Sequence, residues 1–368
     1  MSMATTAHER LINILADLVA FPSESGRLAD CGKCFDYLEE YLMKRGLETK
    51  RHTSKGRPSL VATSRKTKQP KVLLQAHIDV VPGGPGAYKL VKKNGRLQGR
   101  GVYDMKFAAA CYLLLVDELQ AQLDEYDFGI MFTSDEEVGG ENGVAMLLKK
   151  GYGAGVCVLP DGGNDWKIET TSNGGWMVRV IAAGRSAHGS RPWEGENAIY
   201  SLMEALHEIK AEFGTPAPTE CTLTVSQIEG GQAVNQVPDK AEATLDIRFA
   251  DDKSYAAKRR KVEAVAGKWD LKLQTIDHAK AYATDITRPP IAHFMKLAEE
   301  LRGEPLSKTR SFGSSDARFF AEQDIPTIVM RPTGGGAHSA DEWIDEAALG
   351  QFYELLKVYV KEAAYAKA

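Results

Sequence analysis

The sequence is poor in the features that mark a membrane or secreted protein. A membrane-spanning helix needs about 20 consecutive apolar residues, and the run AAACYLLLV at 108–116 is far short of that. In the opening segment, MSMATTAHERLINILADLVAF, polar and charged residues break every apolar run, so the hydrophobic region of a signal peptide is not expected. Cysteine is scarce, with five in 368 residues. An odd number cannot all pair, and only Cys31 and Cys34 lie near each other. Their C-x-x-C spacing falls within ADCGKCFDYLEEYLMKRG, an amphipathic helical pattern that favours two half-buried thiols over a redox or metal motif. A reducing, cytoplasmic setting is the expectation. Charge bias is also missing: 46 Lys and Arg against 50 Asp and Glu leave a formal net charge of -4. That balance carries no global signature for binding nucleic acid or an anionic membrane. Internal repeats and low-complexity tracts are absent.

What the chain does have is length and alternation. At 368 residues it exceeds what one ordinary core serves, so two domains are expected. Two helical patterns (HERLINILADLVAF and residues 28–45) precede the strands SLVATS, KVLLQAHID and FGIMFTS, with the helix MKFAAACYLLLVDELQ between the last two. The helix NGVAMLLKKG then leads to the strand GVCVLP. Strands alternating with helices predict an α/β sheet, mainly parallel and covered on both faces. From about residue 173 the order becomes strand, helix, strand, strand, helix, strand, from WMVRVIAAG to LKLQTIDHAKAY. That is the split, ferredoxin-like α+β unit. After about residue 284 the α/β character resumes with two helices, the strand TIVMRP and a closing helix. The expected domains are therefore 1–172 with 284–368, interrupted by an inserted domain at 173–283.

One stretch raises a chemical question. In FTSDEEVGGENG (132–143) an apolar strand ends in three consecutive acids, Asp135, Glu136 and Glu137. A solvated turn is the bland reading; a cation that makes neighbouring acids tolerable is the sharper one. Four stretches place metal-capable side chains at the carboxyl end of an apolar strand: His77 and Asp79 after VLLQA, Glu136 and Glu137, Asp161 after GVCVLP, and His338 after TIVMRPTGGGA. Asp104, in GRGVYDMK, opens a helix between two of these strands. In an open parallel sheet such strand ends converge on the ligand-binding edge. Two histidines with three of these carboxylates suit two ions about 3.5–4 Å apart that share one carboxylate. The His77-x-Asp79 spacing adds a carboxylate able to take the second imidazole N–H.

HIDVVPG, GRGVYDMK, TSDEEVGG, SAHGSRP, VNQVPDKAEATLDIR and GAHSADEW, in this order, resemble the two-zinc family of the aminoacylases, glutamate carboxypeptidase, acetylornithine deacetylase and succinyl-diaminopimelate desuccinylase. The resemblance runs from the first helices to the last. It implies a zinc-peptidase catalytic domain carrying an inserted lid and dimerisation domain. His77 and Asp161 would hold one zinc, Glu137 and His338 the other, with Asp104 bridging; cobalt and manganese are alternatives. Glu136 would be the general base for a zinc-activated water, with Asp79 orienting a ligand. The same resemblance implies that His188 donates to the oxyanion, reaching in from the partner of a homodimer formed through the lid. Asn235 and Arg248 would recognise substrate, Arg248 suiting a carboxylate. FGSSDARF resembles a desuccinylase-type loop in which Gly313 and Ser314 offer main-chain N–H groups, while Arg318 reads equally well as a solvent-facing helix residue. Phe107 and Ala108 stand where many relatives have glycines, and Asp161 is Glu in some relatives. The expected reaction is hydrolysis of an amide in a small carboxylate-bearing substrate, either a dipeptide or an N-acyl amino acid. The rival from another class is an inactive binding protein, which would be expected to have lost Glu136 or a ligand.

Overall fold

The computed structural model describes residues 6–217 and 220–366; residues 1–5, 218–219 and 367–368, which the expected domain bounds include, lie outside the described residues. The chain divides into two compact units. One comprises Met1–Thr170, Ala283–Arg310 and Ser315–Ala368; the other comprises Thr171–Tyr282 and Ser311–Ser314.

The first unit is built on a six-stranded sheet in the order Glu48–Ser54, Arg57–Thr63, Phe128–Thr133, Val72–His77, Val156–Val158, Thr327–Ile328. The first two strands and the Arg57–Thr63/Phe128–Thr133 pair are antiparallel, and the remaining pairs are parallel. The strands Val72–His77 and Phe128–Thr133 are buried at every position, as expected of strands covered on both faces. Register matters most for function: His77 lies opposite Thr133, and Leu74 opposite Val158. Residues just beyond these strands therefore emerge along one edge of the sheet.

Local chemistry sets the helices. Ala7–Val19 starts in a capping box, in which the Glu9 N–H donates to the Thr6 hydroxyl at 3.2 Å and the Thr6 N–H to the Glu9 carboxylate at 2.8 Å. Leu11, Ile14, Leu15 and Leu18, at helical spacing, point into the core. The long apolar run forms helix Lys106–Leu119, buried from Lys106 through Val116; its hydrophobicity all round reflects a position inside the core. No helix among the described residues is long and apolar enough to cross a membrane.

The second unit runs strand Gly174–Ala183, helix Ala198–Ala211, strands Thr222–Gly230 and Lys240–Phe249, helix Asp252–Lys268 and strand Lys272–Ala279. Its four-stranded sheet is antiparallel throughout, with Lys240–Phe249 and Gly174–Ala183 in the middle and Thr222–Gly230 and Lys272–Ala279 at the edges. This is the ferredoxin-like arrangement. Val178, Val180, Leu245 and Ile247 pack with Leu202, Ile209 and Val262 of the two helices.

Candidate metal centre

His77 ends its strand with a buried ring. Its Nε2 lies 3.3 Å from Asp104 Oδ1 and 4.0 Å from Asp161 Oδ1. Its Nδ1 faces the Asp79 main-chain carbonyl at 2.9 Å, which makes Nδ1 the donor and leaves the Nε2 lone pair toward the carboxylates. The Asp79 carboxylate, expected to orient this ring, is farther from Nδ1 at 3.6 Å. It also accepts from the Ser25 hydroxyl (2.8 Å) and the main-chain N–H groups of Glu136 (3.3 Å) and Glu137 (3.2 Å). The reason is local: the short 3-10 turn Glu136–Val138 presents unpaired N–H groups at its start, and a buried carboxylate is their natural acceptor.

Opposite His77, His338 Nε2 lies 3.3 Å from Asp104 Oδ2 and 3.1 Å from Glu137 Oε2. Two groups result, His77–Asp104–Asp161 and Asp104–Glu137–His338, each with ligand atoms within 4.8 Å of one another. Asp104 belongs to both. His338 has φ 64°, a left-handed conformation that non-glycine residues keep at some energetic cost, often at functional positions.

The donor set fits divalent ions of the kind the resemblance implies. Burial opposes ionisation of Asp104, yet its contacts with His338 and His77 and the Arg331 guanidinium hold it well below the usual carboxylate range. Hydrogen bonds to Asp104 and Glu137 push His338 up to about 10. The carboxylates that draw protons onto these imidazoles are those that would draw a metal, and the two compete for the same lone pairs.

The acidic triplet has three different surroundings. Asp135 is buried; it accepts the Asn142 N–H at 2.6 Å, and burial pushes its carboxyl up to about 6. Glu136 is half-buried; burial and then the neighbouring Asp161 carboxylate raise it well above the ordinary range. Glu137 turns toward His338. Gly139 and Gly140, at φ 106° and 69°, let the chain leave this crowded corner; a Cβ on Gly140 would meet Asp316 Oδ1 at 2.2 Å. Arg318 is not solvent-facing. It is 6% exposed and donates to the Gly139 carbonyl at 2.6 Å and the Ser315 carbonyl at 3.3 Å, because its helix, Ala317–Glu322, lies against this turn.

Sequence reasoning missed several residues. The buried Arg331 places Nη1 3.6 Å from Asp104 Oδ1 and 4.0 Å from Asp161 Oδ1, while its Nε donates to Asn164 Oδ1 at 2.6 Å. An arginine closing the apolar strand TIVMRP was the available signal. The fully buried Lys106 donates to the carbonyls of Leu18 (3.0 Å) and Phe21 (2.8 Å), at the end of the first helix. Glu342 accepts from the Asp104 N–H at 3.0 Å.

Glu169 accepts the Gly163 N–H at 3.1 Å, and burial pushes it from 4.5 up to about 7. A folded-state value above the unfolded one means stability is full below about pH 4.5. It falls as pH rises through about 7, by about 3 kcal/mol in all. The Glu169→Gln variant should escape that fall and gain on the wild type between pH 5 and pH 8 in urea unfolding. An unchanged pH dependence would show that Glu169 stays ionised.

The other expected site residues belong to the second unit. His188 is exposed, with Nδ1 2.8 Å from the Ser190 hydroxyl. It pairs with Gln236 in a short antiparallel ladder, and Gly189 N–H donates to the Asn235 carbonyl at 2.7 Å, which makes His188 and Asn235 neighbours. The Arg248 guanidinium is gripped by Asp246 (2.7 and 3.1 Å) and lines a cavity of about 350 Å³ with Asn173, Thr222 and Phe312. Gly313 and Ser314 fall in this unit rather than with the first, and the Gly313 N–H is taken by the Ser311 hydroxyl at 3.2 Å.

Fold and site together define a two-unit α/β metallohydrolase with one carboxylate shared between two ligand groups. Residues 73–362 match the model of Peptidase family M20/M25/M40, and the chain belongs to that family, whose members are metal-dependent hydrolases. It is similar to the succinyl-diaminopimelate desuccinylase of Methylobacterium radiotolerans, 33% identical over 313 residues that cover 76% of this chain and 78% of that protein. Among solved structures it resembles a tripeptidase from Staphylococcus aureus, with TM-score 0.78, 21% identity, and coverage of 96% and 99% of the two chains. It also resembles a metallo-carboxypeptidase from Sulfolobus solfataricus, with TM-score 0.80, 17% identity, and coverage of 96% and 99%. At these identities the two structures speak for the fold alone.

Proposed function

We propose that this protein hydrolyses the amide bond of a small, carboxylate-bearing N-acyl amino acid. The observation that supports this most is the placement of Asp104, 3.3 Å from both His77 and His338, beside the Glu136 turn. Two divalent ions, zinc first with cobalt or manganese as alternatives, would be held by His77 and Asp161 and by Glu137 and His338, with Asp104 common to both. When bound, such ions supply Lewis acidity, polarising the scissile carbonyl and lowering the pKa of water toward about 7. Glu136 takes the proton from the attacking water and delivers it to the leaving amine. Asp79 fixes the turn that aims Glu136. His188 of the partner subunit donates to the developing oxyanion. Arg248 pairs with the substrate carboxylate, exchanging part of its Asp246 contact for it, and Gly313 and Ser314 are assigned to substrate recognition with it, while Asn235 takes part from beside His188. The desuccinylase relative favours an acyl substrate over a dipeptide. The cytoplasm is the compartment this reading assigns, in keeping with five free, buried cysteines.

The test is hydrolysis by metal-loaded protein across matched dipeptides, N-acetyl and N-succinyl amino acids. Turnover concentrated on N-succinyl substrates is expected. Turnover confined to dipeptides would replace the deacylase with a peptidase, and no turnover on any amide would overturn the reading.

A homodimer through the second unit is part of the same proposal. Its edge strand Thr222–Gly230 leaves Val225 and Ile228 exposed (43% and 58%), and helix Ala198–Ala211 exposes Tyr200 and Met203 (68% and 56%). An open strand edge with apolar neighbours is a ready pairing surface. Sedimentation should give twice the 40.3 kDa of the chain; a monomer would remove the partner-supplied His188.

A further inference from the structure

We propose that Glu342 is a positioning residue of the metal centre, which sets Asp104 and through it both ligand groups. The inference rests on the metal-centre reading above. Glu342 is 2% exposed. Its Oε1 accepts the main-chain N–H groups of Tyr103 (2.9 Å) and Asp104 (3.0 Å), and its Oε2 accepts the Gly101 N–H (2.9 Å) and Arg100 Nη1 (2.8 Å). The Gly99 N–H donates to the Glu342 main-chain carbonyl at 3.3 Å. The loop of residues 99–104, between strand Arg96–Gln98 and helix Lys106–Leu119, is therefore wrapped around a single carboxylate. Because the Asp104 N–H is one of the bonds, the carboxylate fixes the point from which the shared ligand side chain departs.

The other end of the arrangement is equally tied. Glu342 lies four residues after His338, just beyond a turn closed by the Ser339 N–H donating to the Gly336 carbonyl at 2.9 Å. Gly336 has φ 71°, and a Cβ there would meet the Asp341 carbonyl at 2.5 Å, so the turn leaves no slack. One short segment thus delivers His338 to the centre and clamps the loop that delivers Asp104. A buried Glu–Arg pair alone would be ordinary structure. What sets this carboxylate apart is that most of its bonds go to the backbone of the Asp104 loop.

Groups that orient metal ligands typically cost about 10–100-fold in metal affinity or activity when replaced. Glu342→Gln keeps the shape but brings an amide NH2 against main-chain donors. In chelator competition with Zn²⁺ and Co²⁺, this variant should bind at least about 10-fold more weakly than wild type. Its kcat at saturating metal should fall while KM stays within about 2-fold, since substrate contacts are untouched. Arg100→Met, which spares the main-chain bonds, should keep wild-type metal affinity. Glu342→Gln with wild-type metal affinity and kcat, and only a lower melting temperature, would reduce Glu342 to a structural role. Equal weakening in Arg100→Met would transfer the effect to the ion pair; either result overturns the proposal. If Glu342→Gln does not fold, Glu342→Asp decides, because its shorter arm keeps the charge but loses reach. Weakened metal binding in a folded Glu342→Asp supports positioning, and wild-type binding overturns it. Wild-type protein that takes up no divalent ion would instead overturn the metal centre itself.

Discussion

Replacing Glu136 with glutamine should lower kcat by about 10²–10⁴-fold while leaving metal content unchanged. The Glu136 N–H donates to Asp79 at 3.3 Å, so the turn that carries it is anchored by main chain and survives the substitution. Glutamine matches glutamate in size and keeps a carbonyl oxygen, but it cannot accept and pass on a proton. Burial first, and then the Asp161 carboxylate, raise the Glu136 carboxyl in the metal-free protein; a carboxylate shifted in this direction is a better base toward water than a free one and a usable acid toward the leaving amine. Release of free amine gives the rate, and elemental analysis gives the metal. A wild-type rate would sink the base assignment. Lost metal would make Glu136 a ligand.

The parts of this molecule legible in sequence share one property: their signal is local. VLLQAH and FGIMFT read as strands because both faces are covered and the apolar run is continuous, so the groups that follow them could be placed on one edge. The edge strand Glu48–Ser54 was silent because ETKRHTS pairs on one side only and buries none of its residues fully. Glu342 and Arg331 read as ordinary charged residues, since their meaning lies in contacts with Asp104 more than 200 positions away along the chain. Arg318 followed the same rule, its partner Gly139 being 179 positions distant. The second unit's strand order followed from the succession of strands and helices. That Ser311–Ser314 joins it could not, because four residues carry no periodicity.

Removing the metal should destabilise the first unit, and Asp104→Asn should abolish the difference. Asp104, Asp161, Glu136 and Glu137 face a small volume, with Arg331 the nearest guanidinium, 3.6 Å from Asp104 and 4.0 Å from Asp161. A ligand that binds only the folded state stabilises it by about 4 kcal/mol at a thousand times its dissociation constant. For a unit of this size that corresponds to a rise of about 10 °C in Tm. Asp104→Asn retains the main-chain N–H held by Glu342 (3.0 Å), so the loop should keep its course. The asparagine loses the one charge both groups share. Neither group then has its full anionic set, so metal affinity and hydrolysis should fall together, the latter by more than about 10³-fold. Melting curves with added zinc and with chelator, recorded for both proteins, provide the test. Wild type should show the shift and Asp104→Asn should not. A wild-type Tm indifferent to chelator would mean these carboxylates are satisfied without a cation. A shift retained by Asp104→Asn would mean that each ion is held by its own ligands, with Asp104 a neighbour rather than a bridge.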